Sequence, residues 1–282
     1  MPPRACIMKT IFVIDDNTSE AKYASEFAFV MAQSVEAKII VAHTIAAVKI
    51  NEKVKVGGAI EDEEFENQYR PAFLRQLIKP QGIVFNPQID EIDISQTDEN
   101  GVAGIINRNQ VWMIIKGIPD KIKPPHPVPD LNVQVILNKV LCPLLLVPEK
   151  WKLKKIERLV YMADLRYCRI QIVKYLATLA QHWLADLSIV HTSAKGLPDI
   201  AENYALSIFT EEICTNIDYD RLFFNNTKGG DVSKVVDVII HAMSNDILAV
   251  VHHRFHFEEL IGTYIGENLP PNITVPLLIF PY

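Results

Sequence analysis

Short, wholly apolar runs alternate with amphipathic segments along almost all of this 282-residue chain. The first run, Thr10 to Ile14, is rich in β-branched residues and closes on Asp15-Asp16-Asn17, the pattern of a buried strand that ends in a turn. A helix follows, capped by Thr18 or Ser19. Its apolar stripe of Ala21, Ala24, Ala28, Val30, Met31 and Ala32 is mostly small, so it can lie close to a sheet. Lys38 to Thr44 predicts the next strand. Strand, helix and strand within that length predict a βαβ unit and a parallel sheet.

The pattern then repeats its alternation. Glu61 to Lys79 predicts a helix whose acidic first turn suits the positive end of the helix dipole. Ile89 to Ser95 alternates as an outer strand does, Gly101 to Asn109 predicts a short helix, and Val111 to Ile115 a central strand. Asp130 is positioned to cap a helix running to Val140, and Leu144 to Val147 is the last strand of this half. The second half predicts strands at 159–163, 187–192, 222–226, 247–252 and 277–280, with helices at 169–184, 198–215, 231–244 and 257–267.

The two halves are related. Ile11 to Ile45 recurs, loosely but without a gap, as Leu159 to Ser193, which matches Asp16 to Asp164, His43 to His191 and Thr44 to Thr192. Pro143-Leu-Leu-Leu-Val-Pro148 recurs as Pro276-Leu-Leu-Ile-Phe-Pro281. A repeat this long is a duplicated domain rather than a short solenoid unit. The expected organisation is a tail over residues 1–8, a first domain over 9–150 and a second over 151–282, joined by the charged link Trp151 to Glu157. The expected fold class is α/β: two tandem Rossmann-like layer sandwiches, each with a five-stranded, mostly parallel sheet. Ligands of such sheets sit outside the carboxyl ends of the strands, where the winding reverses.

Charge and composition narrow the function. A net charge of −6 gives no basic footprint for nucleic acid, and no apolar run reaches the roughly 18 residues of a membrane span. Neither nucleic acid nor membrane is an expected partner. Cys6, Cys142, Cys168 and Cys214 lie far apart, so neither a zinc knuckle nor a disulfide framework is indicated, and a reducing cytoplasm is the expected location.

An aspartate closing the first strand, a His-Thr pair closing the second and the Cys-Pro-Leu-Leu-Leu-Val-Pro last strand together resemble the universal stress protein family in its tandem form. The resemblance covers residues 9 to 282 and implies an adenine nucleotide alpha hydrolase-like fold. Members that bind ATP carry an aspartate after the first strand and a residue after the second-strand histidine whose backbone meets adenine. After the fourth strand they carry a loop reading Gly, two residues, Gly, nine residues, Gly, then Ser or Thr. The resemblance maps the first two features onto Asp16 and Thr44, and onto Asp164 and Thr192. The loop departs from the pattern in both halves. The first half has PDKIKPPHPVPD, whose prolines remove N–H donors, and the second has His253, Arg254, Phe255, His256 and Phe257 where a phosphate needs room.

The candidate binding residues are therefore Asp16, Thr44, Asp164, Thr192, His252, His253 and Arg254, with Lys116 a further source of positive charge. His252, His253 and His256 are metal-capable, yet adjacent strand residues face opposite ways and two ligands do not make a metal site. His43 and His191 have no nucleophile beside them, so no catalytic residue is assigned and an enzyme is not the expected class. Asp16 and Asp164 read equally well as turn or cap residues. The expectation is a regulatory or interaction module of the stress response, with a degenerate nucleotide site, no cofactor and an unknown protein partner. The alternative is an ATP- or AMP-binding protein, or weak ATPase, using magnesium and an atypical phosphate loop. The repeated last strands are expected to pair with each other, as a pseudo-dimer within the chain, and the chain itself could form a homodimer.

Overall fold

The computed structural model describes residues 8–45, 74, 77, 85–119, 131–227, 231–263, 265 and 268–282. The tail over 1–7, the helix expected over 61–79 apart from Leu74 and Leu77, and the proline loop with Asp130 lie outside the described residues, as does the side chain of Phe255.

Two compact units are present, one holding the described residues up to Gly117 together with 131–140, the other holding Ile118, Pro119 and everything described from Leu141 onward. In the first unit β1 (Lys9–Asp15), α1 (Ser19–Val35) and β2 (Ala37–His43) follow one another, then β3 (Ile89–Asp93), α2 (Glu99–Arg108), β4 (Met113–Ile118) and α3 (Val133–Leu137). Its strands are parallel in the order β3-β2-β1-β4. Ile11 to Ile14 are fully buried, which fits a strand covered on both faces, and each such large apolar side chain contributes about 1.5–3 kcal/mol. Thr18 caps α1 by accepting the Ala21 N–H at 3.3 Å.

Sequence patterning ends β4 at Ile115, but the strand continues through Lys116 and Gly117 to Ile118. The apparent polar break is buried because Lys116 finds an anion there. Gly117 is required for contact: a Cβ at that position would come within 2.3 Å of the Glu20 backbone at the start of α1.

The second unit runs β5 (Leu144–Pro148), β6 (Arg158–Ala163), α4 (Ile170–Trp183), β7 (Asp186–Thr192), α5 (Glu202–Ser207), β8 (Leu222–Thr227), α6 (Val232–Asp237), β9 (Ile247–Val251), α7 (Phe255–Leu260) and β10 (Leu277–Phe280). Its order is β5-β10-β9-β6-β7-β8, parallel except for β5. β5 and β10 pair antiparallel, Leu146 opposite Leu277 and Leu144 opposite Ile279, so the two repeated apolar segments satisfy each other's backbone. Of the described strands, β1 to β5 come from the first half of the chain and β6 to β10 from the second, with β5 grouped in the second unit. Glu36 and Leu184, at matching positions of the repeat, end α1 and α4 in the left-handed region, both at φ 54°.

Among the described residues no helix is long and apolar enough to cross a membrane.

Candidate functional site

β1 lies beside β4 in the first unit and β6 beside β9 in the second, where the winding reverses. The residues just past these four strands form the crevice that the fold offers to a ligand.

In the first unit that crevice is occupied by the protein's own charges. Asp16 Oδ2 accepts from Lys116 Nζ at 3.1 Å, while Oδ1 accepts from the Thr18 hydroxyl at 2.5 Å and the Thr18 N–H at 3.3 Å. The Lys116 side chain is 8% exposed and that of Asp16 18%. Lys116 is thus fixed on Asp16, not held out to an incoming anion. Beside it, Asp15 Oδ2 lies 3.1 Å from His43 Nδ1, and Glu91 Oε2 lies 3.8 Å from Nε2. Burial lowers the pKa of His43, with Glu91 and Asp93 pulling the other way. The Thr44 N–H donates to the Asp15 carbonyl at 2.9 Å, closing the strand end. The resemblance identified Asp16 and Thr44 but not Asp15. Its match in the repeat is Ala163, so the duplication carried no signal for the ion pair.

In the second unit Asp164 is engaged more completely. Arg166 forks onto it, Nε to Oδ1 at 2.8 Å and Nη2 to Oδ2 at 2.6 Å. The N–H groups of Arg166 and Ala194 add bonds at 3.1 and 3.0 Å. Burial opposes ionisation of Asp164, but these donors outweigh it and hold its carboxyl below the usual range. Arg166 lies only two residues away on a 3-10 turn, a proximity the sequence displays but whose geometry depends on the turn. Thr227 donates to the His191 carbonyl at 2.7 Å, so the Thr192 hydroxyl is the donor to Thr227 Oγ1, also at 2.7 Å.

A small cavity of about 20 Å³ opens where β6 and β9 end, lined by Tyr161, Asp164, Tyr167, Arg254, His256 and Phe257 among others. That volume holds about one water, far from the several hundred Å³ of a ligand pocket. Arg254 and Asp164 line it, but Thr192, His252 and His253 do not. The Arg254 guanidinium stacks over Tyr167 and Tyr282, 5.7 and 4.5 Å from the ring centres. His252 is buried with its ring 3.8 Å from that of His253 and edge-on to Phe257 at 4.8 Å. Among the described residues no cluster of three or more His, Cys, Asp or Glu could hold a metal ion.

A doubly wound α/β unit with its crevice at the winding reversal is the architecture of nucleotide-binding folds. Solved structures narrow this to the universal stress protein fold. A universal stress protein from Archaeoglobus fulgidus DSM 4304 superposes with a TM-score of 0.56 at 13% identity, over 96% of this chain and 97% of that one. A protein of Pseudomonas aeruginosa PAO1, of unknown function, superposes with a TM-score of 0.52 at 12% identity, over 97% and 92%. No family model matches the sequence, and no curated protein matches it.

Proposed function

We propose that this chain is a tandem universal-stress-type protein that serves the stress response as a regulatory or interaction module, its nucleotide site having degenerated. The observation that carries this reading is that both aspartates at the ligand crevices already have intramolecular partners: Asp16 is held by Lys116 and Thr18, Asp164 by Arg166 and Ala194. Each carboxylate is paired with a cation where a ribose hydroxyl would need it uncommitted. A nucleotide would have to break a buried or half-buried ion pair, which costs about 3–5 kcal/mol when one partner is left unmatched. Two further observations support this reading against ATP with magnesium: the sequence after the fourth strand of either half has no glycine nest, and the cavity at the ends of β6 and β9 has room for about one water.

Calorimetry with ATP and magnesium at millimolar concentration, together with mass spectrometry of small molecules released from the purified protein, tests the proposal. The expected result is no saturable heat and no co-purified nucleotide. Saturable binding at micromolar affinity that is abolished by Asp16→Ala or Asp164→Ala would overturn it.

A further inference from the structure

We infer that His191, His252 and His256 form an acid-responsive latch at the carboxyl end of the second unit's sheet: while neutral they let α7 pack down beside β9, and protonation releases it. The three rings come from three segments, the end of β7, the residue after β9 and the first turn of α7, and they are 1%, 1% and 4% exposed. His191 Nδ1 accepts the Leu165 N–H at 3.2 Å, which places the proton on Nε2. That Nε2, both nitrogens of His252, both of His256 and the neighbouring Ser193 hydroxyl have no hydrogen-bond partner among the described residues. A backbone group of Thr192 faces His256 without meeting hydrogen-bond geometry.

A positive charge placed on these rings is favoured by Asp164, Asp199 and a backbone group of Ala163, but burial outweighs them. From β6 and the turn after it come Tyr161 and Asp164, but Asp164 already accepts four hydrogen bonds from Arg166 and Ala194. Asp199 faces His191 from further along the chain. From the segment itself come His253 and Arg254, which add like charge, while Glu258 and Glu259 are exposed. The helix α6, packed against α7, turns Lys234 and Asp237 to solvent. The cavity beside His256 has room for about one water, too little to hydrate an imidazolium. A buried charge only partly compensated is relieved most cheaply by local opening, and α7 is only six residues long.

Burial lowers the pKa of all three rings, with His253 adding to the effect at His252, which falls to about 4 from 6.5. The sign follows from linkage. Each folded pKa lies below the unfolded value, so the stability these rings confer is present above pH 6.5 and is lost as pH falls toward the folded values.

Hydrogen exchange of the intact chain at pH 7.5 and pH 5, corrected for intrinsic rates, reads the latch, and histidine NMR titration identifies the groups. The expected result is a loss of protection over residues 251–263 on the order of 100-fold at pH 5, with α1 of the first unit unchanged. The double variant His252→Phe, His256→Phe should remove most of that dependence. Protection independent of pH, or a pH dependence that survives the double substitution, would overturn the inference. Should the double variant not fold, the wild-type titration decides: His252 and His256 titrating at 6.5 or above with residues 251–263 still protected would overturn it equally.

Discussion

Lys116 Nζ sits 3.1 Å from Asp16 Oδ2, joining β4 to the turn after β1 where the first unit's winding reverses. The two charges thereby neutralise each other inside the first unit's crevice. The same result is reached in the second unit by Arg166, from a neighbouring turn instead of the opposite strand.

This pairing predicts a coupled mutational response. Lys116→Met leaves Asp16 half-buried and short of a cation, and should cost about 3 kcal/mol. Asp16→Asn in the Lys116→Met background should recover most of that loss. Thermal unfolding of the two single variants and the double variant gives the coupling energy; additivity within about 0.5 kcal/mol would show that the ion pair carries no net weight.

Asp164 sets an acid limit on the second unit. Its folded pKa lies below the unfolded one, so its contribution is present above about pH 3.8 and is lost as pH falls through the folded value. Asp164→Asn should flatten the stability profile in that window while lowering stability at pH 7. Exchange protection of β6 and β7 peptides, followed at pH 7 and pH 3 in both proteins, checks this. An unchanged acid limb would mean that Asp164 is not its source.

Gly117→Ala should be among the most damaging small substitutions in the chain. The added methyl would lie 2.3 Å from the Glu20 carbonyl carbon and 2.6 Å from the Ala21 nitrogen, and both are backbone atoms that cannot swing aside. A cost of about 3 kcal/mol is expected, read as a lower melting temperature. Gly104→Ala is the control, since nothing lies within 4 Å of the position its Cβ would take. Equal effects of the two would remove the steric argument.

Any residual affinity for an aromatic or anionic small molecule should belong to the second unit. Arg254, stacked on Tyr167 and Tyr282 at the cavity mouth, offers a cationic and aromatic surface there, each cation–π contact being worth about 0.5–2 kcal/mol. In a thermal-shift screen with adenosine nucleotides, stabilisation should disappear in Arg254→Ala and persist in Lys116→Met. The reverse pattern would place the ligand in the first unit.

Local rules acting on the sequence determined the alternation of strands and helices, a cap at Thr18 or Ser19 and the identity of Asp16 and Asp164 as residues at strand ends. Each follows from spacing or residue type within a few positions. Contacts made in three dimensions decided the rest. Lys116 looked like the end of a strand because a lysine is costly to bury alone, and only its approach to Asp16, a hundred residues earlier in the chain, makes burial affordable. Asp15 gained a role because β2 brings His43 to it, and the ring of His252 packs against those of His253 and Phe257. Which charges neutralise each other is a property of distance in space, and spacing along the chain does not encode it.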